Sequence, residues 1–298
     1  MPTHGPLHQR LKEQSLLILD GAMGTELQRR GVDTGLPLWS ANALMSHPET
    51  ILQIHKDYIE AGADIITTNT FRTTRRTMKR ANLPDRSAQL TKQATELARQ
   101  ARDAFPDRTI LIAGSIAPLE DCYRPDLVPS DGELSSEHTE LAERLAVGGV
   151  DFLLLETMNT IREAHAACKA AKATGKDVVV SFICKTTGEL YSGEPLGQAI
   201  KTLEELSPAA FSINCVSPRF LGSIVTDLKS HTALPIAVYG NVGIPESEQH
   251  GWEFTHDISE EQYAAHSKEW SRIGASIIGG CCGTTPEYIR LAACTLAH

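Results

Sequence analysis

No stretch of the 298-residue chain reaches the roughly 18 consecutive apolar residues that a membrane-spanning helix needs, so no membrane partner is expected. No run of Lys or Arg stands out against a formal charge of −9 built from 28 basic and 37 acidic residues, and nucleic acid is excluded as the expected partner on the same ground. Cysteine is sparse and odd in number. The seven thiols are scattered among apolar strand and helix patterns instead of being spaced as a framework of bridges, which points to a reducing, cytoplasmic compartment. Met1 to Leu11 holds Pro2, His4, Pro6 and His8 and no apolar core, so no secretion signal is expected. Linker-like segments rich in Gly, Ser or charge are missing too, and one domain over residues 1–298 is the expectation.

What is present is a regular alternation. Short apolar runs closed by a polar residue read as buried parallel strands: Leu16–Asp20, Asp64–Thr68, Ile110–Gly114, Asp151–Glu156, Val178–Ile183, Phe211–Asn214, Ile236–Tyr239 and Ala275–Ile278. Helical patterns lie between them, as in Ile51, Ile54, Tyr58 and Ile59 after Pro48. One phrase recurs three times, in Gly62-Ala63-Asp64-Ile65-Ile66, Gly149-Val150-Asp151-Phe152-Leu153 and Gly274-Ala275-Ser276-Ile277-Ile278. It reads as helix end, glycine, small residue, polar residue, strand, the signature of a repeated unit. Eight such units predict an α/β chain folded as a single (β/α)8 barrel, with an open doubly wound sheet as the structural alternative. Two loops exceed plain connectors: Ala117 to Gly132, a candidate lid, and Gly240 to Ile258, whose Trp252 and Phe254 could form a docking surface.

Polar residues close the strands. Asp20, Asn69, Glu156, Cys215, Asn241 and Cys281 each follow a separate one, at the face where barrel active sites are built. The adjacent thiols Cys281 and Cys282, set between glycines in Gly279-Gly280-Cys281-Cys282-Gly283-Thr284-Thr285-Pro286, suit a soft metal ion better than a bridge to each other. Cys215, in Asn214-Cys215-Val216, is the natural third ligand, and Zn²⁺ the natural ion. Cys122, Cys168, Cys184 and Cys294 stand alone in their segments and read as buried small hydrophobes. Three thiolates on Zn²⁺ leave one open position and a net charge of about −1, a weak Lewis acid toward water that suits activation of a substrate thiol. Alkyl transfer to sulfur is therefore expected over hydrolysis.

With those residues in place the chain resembles the homocysteine S-methyltransferases over nearly its whole length. The resemblance runs from Leu19-Asp20-Gly21-Ala22-Met23-Gly24-Thr25 through Trp39, Glu156-Thr157 and Asn214-Cys215 to the double-cysteine motif. It extends to betaine-homocysteine methyltransferase and to the homocysteine module of cobalamin-dependent methionine synthase. It implies a zinc-dependent barrel with Cys215, Cys281 and Cys282 as ligands, and methionine made from homocysteine. It also implies Asp20 and Glu156 as partners of the homocysteine amino group, the amides of Gly21 to Thr25 as partners of its carboxylate, and Trp39 as an aromatic facing the donor. Asn214 is expected to orient the sixth strand end, and Asn241 to lend an oxygen to zinc when no thiol is bound. Arg72 and Thr157 stand where the betaine enzyme carries tyrosines, which argues against betaine. The chain stops soon after the cysteine motif, with no room for folate or corrinoid modules. The expected donor is S-methylmethionine or S-adenosylmethionine, and a homocysteine-activating subunit served by a separate methylated corrinoid protein is the alternative.

Overall fold

The computed structural model describes residues 5–245, 252–254 and 258–297. Eight parallel strands form one sheet: β1 Leu17–Ile18, β2 Ile65–Thr67, β3 Leu111–Ile116, β4 Phe152–Met158, β5 Asp177–Phe182, β6 Ala210–Asn214, β7 Ile236–Gly240 and, last in the chain, β10 Ala275–Gly280. Between the last two lies a small antiparallel pair, β8 Gly243–Pro245 and β9 Trp252–Phe254. The order β1-β10-β7-β6-β5-β4-β3-β2 is closed by a parallel bridge from Leu19 to Ile65, so the sheet is a (β/α)8 barrel and not an open one.

The helices are α1 Pro6–Glu13, α2 Gly24–Arg29, α3 Ala43–Ser46, α4 Pro48–Glu60, α5 Arg75–Arg80, α6 Ser87–Asp103, α7 Asp131–Val147, α8 Ile161–Ala173, α9 Leu196–Glu204, α10 Pro218–His231, α11 Glu260–Ile273 and α12 Pro286–Leu296. None of them is long and apolar enough to cross a membrane. Alternate strand residues face opposite ways. Leu17, Leu111, Phe152, Leu154, Val179 and Ile277 fill the barrel, while Ile66, Ile112, Leu153, Val178, Val180 and Val238 pack outward against the helices. Leu7 of α1 joins the inner group and the amide of His8 donates to Asp177 at the start of β5, so α1 stoppers the end of the barrel where the strands begin. The sequence offered no hint of that helix.

The recurring phrase has a structural meaning. Gly62, Gly149 and Gly274 all take positive φ (110°, 81° and 119°), the left-handed turn that ends a helix and that glycine adopts without steric cost. The acid two residues on then serves the neighbouring strand: Asp64 accepts from the Ile18 amide at 3.0 Å, and Asp151 from the Ile112 amide at 2.7 Å. The first two units thus each cap the start of the strand beside them, and the third carries Ser276 in place of the acid.

Two expectations need correction. Cys294 is exposed on α12, whereas Cys122, Cys168 and Cys184 are buried as expected. The long loop after β7, expected to lack regular structure of its own, carries the β8 and β9 pair; the side chains of Trp252 and Phe254, on which the docking-surface expectation fell, lie outside the described residues.

Candidate active site

The C-terminal ends of the strands enclose a cavity of about 880 Å³ lined by Asp20, Trp39, Glu156, Asn214, Cys215, Cys281 and Cys282 together. Seven residues drawn from five separate stretches of chain meet there because all but Trp39 lie at or just beyond a strand end.

Three cysteine sulfurs line one side of the cavity. The sulfurs of Cys215, Cys281 and Cys282 lie within 4.8 Å of one another, a group able to hold a metal ion. Sequence alone predicts three separate thiols; the structure instead has Cys215 and Cys281 in disulfide contact, because the ends of β6 and β10 set their Cα atoms 5.7 Å apart, the usual span of a bridge. Cys282 remains a free thiol. Burial, with Cys122 and Glu156 nearby, pushes its ionisation well above the ordinary thiol range, so a metal entering this group must displace a proton from it.

The backbone around these sulfurs is strained and cross-linked. Cys215, Thr157 and Trp39 all have positive φ (54°, 61° and 50°), an uncommon conformation for residues with a side chain and a costly one for β-branched Thr157. Asn214 holds two of these points. Its Oδ1 accepts from the Thr157 amide at 3.0 Å and from Ser181 Oγ at 2.6 Å, and its Nδ2 lies 4.0 Å from Cys281 Sγ. The register of β4 against β5 shifts between Leu155 and Met158, and this irregularity turns Glu156 toward the cavity.

The loop 20–25 and the loop 281–284 form one seam. Thr284 Oγ1 accepts from the Ala22 amide at 3.3 Å and donates to the Cys281 carbonyl at 2.7 Å, and the Gly283 amide donates to Thr25 Oγ1 at 2.9 Å. Tyr58 Oη, from α4, donates to the carbonyls of Ala22 and Thr284 at 2.9 and 3.2 Å. Ala22 is thereby already engaged and is withdrawn from the set of amides expected to receive a carboxylate. Gly279 is dictated by closeness: a Cβ there would sit 2.6 Å from Leu19 Cβ and 2.8 Å from the Asp20 carbonyl oxygen.

Two buried carboxyls face the same space. Asp20 Oδ2 accepts from the Thr67 amide at 2.7 Å and Oδ1 from Thr67 Oγ1 at 2.9 Å, while Glu156 accepts from Ser115 Oγ. Burial raises Asp20 to about 7, opposed by the Thr67 hydrogen bonds and aided by the charge of Glu156. Burial likewise raises Glu156 to about 7, opposed by Ser115. Among the described residues no cation pairs with either, so the site holds two acids that an incoming ammonium would ionise.

The loop after β3, expected as a candidate lid, lines the cavity wall. It contributes Asp121, Cys122, Tyr123 and Arg124, and Tyr123 packs edge-on against Tyr191 with ring centroids 5.3 Å apart. Both tyrosines escaped the sequence reading, as lone aromatics in loops carry no periodic signal. Cys122 is buried but lines the cavity instead of the core. Asn241 is buried, its backbone amide donates to the Val216 carbonyl at 3.1 Å, and its chain neighbours Gly240 and Val242 are hydrogen-bonded to Cys281 and Cys282.

Comparison with known proteins agrees with this geometry. Residues 17–296 match the model of the homocysteine S-methyltransferase family. The chain belongs to that family. Among curated homocysteine S-methyltransferases it is 34% identical to YbgG of Bacillus subtilis, over 96% of each chain, and 33% identical to the Escherichia coli K12 enzyme, over 97% of this chain and 98% of that one. It is 32% identical to a selenocysteine methyltransferase of Astragalus bisulcatus over 92% of this chain and 90% of the relative. The crystal structure of the metallated E. coli homocysteine methyltransferase MmuM superposes with a TM-score of 0.85 at 32% identity, covering 97% of this chain and 99% of that one. The oxidised form of the same enzyme superposes at 0.86. Membership of the homocysteine S-methyltransferase family thus rests on the whole barrel and not on the cysteine motif alone.

Proposed function

We propose that this chain is a cytoplasmic zinc-dependent enzyme that transfers a methyl group from a sulfonium donor, S-methylmethionine or S-adenosylmethionine, to the thiol of homocysteine, giving methionine. The observation that carries the reading is the convergence of three sulfurs with two buried, cation-free carboxyls in one cavity. The acids provide for an ammonium and the sulfurs for a soft ion, and homocysteine is an amino acid that ends in a thiol. Cys215, Cys281 and Cys282 would hold Zn²⁺, which when bound stabilises a substrate thiolate while leaving it nucleophilic toward carbon.

The chain's own residues orient and desolvate. Asp20 and Glu156 receive the substrate ammonium, whose charge draws both carboxyls into the ionised form. Thr67 and Ser115 hold those carboxyls in place, and Asn214 ties the turn that carries Glu156 to the turn that carries Cys215. A sulfonium methyl lying over Trp39 gains a cation–π attraction of roughly 0.5 to 2 kcal/mol. The new bond joins the methyl carbon to the homocysteine sulfur as the bond to the donor sulfur breaks. The electron pair leaves with the donor as a neutral thioether, and the thiol proton is released to solvent, so no covalent enzyme intermediate is needed.

The test is direct. Reduced, zinc-loaded chain incubated with homocysteine and S-methylmethionine should form methionine with no other protein present. Strict dependence on an added methylated corrinoid protein refutes the sulfonium reading and favours a homocysteine-activating subunit.

A further inference from the structure

The loops after β3 and β5 meet across the end of β4, the strand that lies between those two in the sheet. They touch through the edge-on pair Tyr123 and Tyr191, and both rings line the active-site cavity. Each loop is fastened on its outer side. Glu163 of α8 accepts from the Leu119 amide at 2.8 Å, and Arg76 and Arg80 of α5 donate to the Glu120 carboxylate at 3.0 and 2.8 Å. In the other loop the Leu190 amide donates to the Glu194 carbonyl at 3.0 Å, while Glu194 Oε2 accepts from the Ile161 amide at 3.0 Å and from Ser192 Oγ at 2.6 Å.

One residue binds both loops. Asn159 directly follows β4 and is fully buried. Its Nδ2 donates to the Cys122 carbonyl at 3.0 Å and to the Asp121 carbonyl at 3.4 Å, immediately before Tyr123. Its own backbone carbonyl accepts from the Ser192 amide at 3.2 Å, immediately after Tyr191. Each tyrosine therefore stands next to a hydrogen bond made by the same residue. A buried carbonyl that loses its donor regains a partner only by turning out to water, and turning Cys122 outward would carry Tyr123 with it.

We propose that Asn159 is a positioning residue for methyl transfer, fastening the loops after β3 and β5 to each other so that Tyr123 and Tyr191 close one wall of the cavity. This rests on the methyl-transfer reading above. A closed wall excludes water and keeps the reacting atoms aligned, so loosening it slows the chemical step more than it weakens substrate capture. Homocysteine capture is supported separately: Thr67 and Ser115 hold the two acids and Asn214 holds the Thr157 turn, none of them through Asn159.

Two readouts separate the wall from the reaction. Alkylation of buried Cys122 by iodoacetamide, mapped by mass spectrometry, reports opening of the wall, with exposed Cys294 as the internal reference. Asn159→Ala should speed modification of Cys122 by about tenfold, the worth of one hydrogen bond, and leave the Cys294 rate unchanged. In zinc-loaded chain given homocysteine and S-methylmethionine it should lower kcat by about tenfold with the KM for homocysteine unchanged. Asn159→Asp keeps the shape without the donor; it should behave alike, and it carries the test if the alanine variant does not fold. Tyr191→Leu should show similar changes, and the double variant should be no worse than the poorer single one, because both act through the same contact. Unchanged Cys122 reactivity in the Asn159 variants, losses in kcat that multiply in the double variant, or a loss confined to the homocysteine KM overturns the assignment. Absence of methyl transfer by wild type overturns the reading of the reaction and the positioning role with it, whereas unaltered kcat in variants of an active wild type overturns the positioning role alone.

Discussion

Replacing Glu156 by Gln separates what this carboxyl does for substrate from what it costs the fold. Burial holds Glu156 at about 7, up from 4.5, and a rise of that size is worth about 3 kcal/mol. The sign is fixed by which state holds the proton. Below pH 4.5 both folded and unfolded chains keep it; between 4.5 and 7 only the folded chain does, so the contribution to stability falls as pH rises through that window, and above 7 the full cost is present. Gln is isosteric, stays neutral, and can still accept from Ser115 Oγ. The variant should therefore be more stable than wild type at pH 8 by up to about 3 kcal/mol, a few degrees in Tm, with the gain fading by pH 5. Homocysteine should bind about tenfold to a hundredfold more weakly, the loss of a charge-assisted hydrogen bond worth about 1.5 to 3 kcal/mol. Wild-type affinity for homocysteine should itself climb between pH 6 and 8 as Asp20 and Glu156 ionise. Differential scanning calorimetry at pH 5 and 8, beside calorimetric titration with homocysteine, gives all three quantities. A variant that is less stable at pH 8 yet binds homocysteine normally would show that Glu156 supports the barrel and does not receive the ammonium.

Other perturbations test neighbouring parts of the site. Under reducing conditions wild type should hold about one zinc per chain with Zn–S distances near 2.3 Å by X-ray absorption, and Cys281→Ala or Cys282→Ala should lose metal and activity together while far-ultraviolet circular dichroism is retained; full activity in metal-free wild type would falsify the metal's role. Trp39→Leu should weaken a sulfonium donor by up to roughly thirtyfold and a neutral thioether of the same shape hardly at all; equal losses for the two would reduce Trp39 to packing. Gly279→Ala should lower stability by about 1 to 3 kcal/mol in chemical denaturation, because its methyl would press on Leu19 and the Asp20 carbonyl where β1 meets β10; an unchanged midpoint would mean the closure is looser than the geometry implies.

Much of the architecture could be read from the chain because the barrel repeats one local solution. The strand runs, the three glycine phrases and the polar residues after each strand are all short-range signals, and each survives folding in place. The cysteine group was legible for the same reason, since two members are adjacent and the third closes another strand. What escaped depends on contacts with no sequence period. Helix α1 has a single buried apolar residue, Leu7, and acts by stoppering the barrel. Tyr123 and Tyr191 meet only because two loops converge, and the hydrogen bonds of Asn214 to Thr157 and Ser181 join three strand ends. Cys294 was misplaced because an isolated thiol on an amphipathic helix gives no sign of which face it occupies. The disulfide contact between Cys215 and Cys281 is likewise a matter of which strand ends stand next to which.

The seam between residues 20–25 and 281–284 bears on how the protein is made. β10 lies between β1 and β7, so the first strand synthesised waits for the last before its outer edge is paired. A nascent chain halted before Ala275 exposes two unpaired strand edges and carries only one of the three clustered sulfurs. On the zinc reading proposed above, metal capture and ring closure both wait for the final strand, so a chain truncated before Ala275 lacks two of the three proposed ligands. On that reading, zinc content per chain would separate finished molecules from truncated ones.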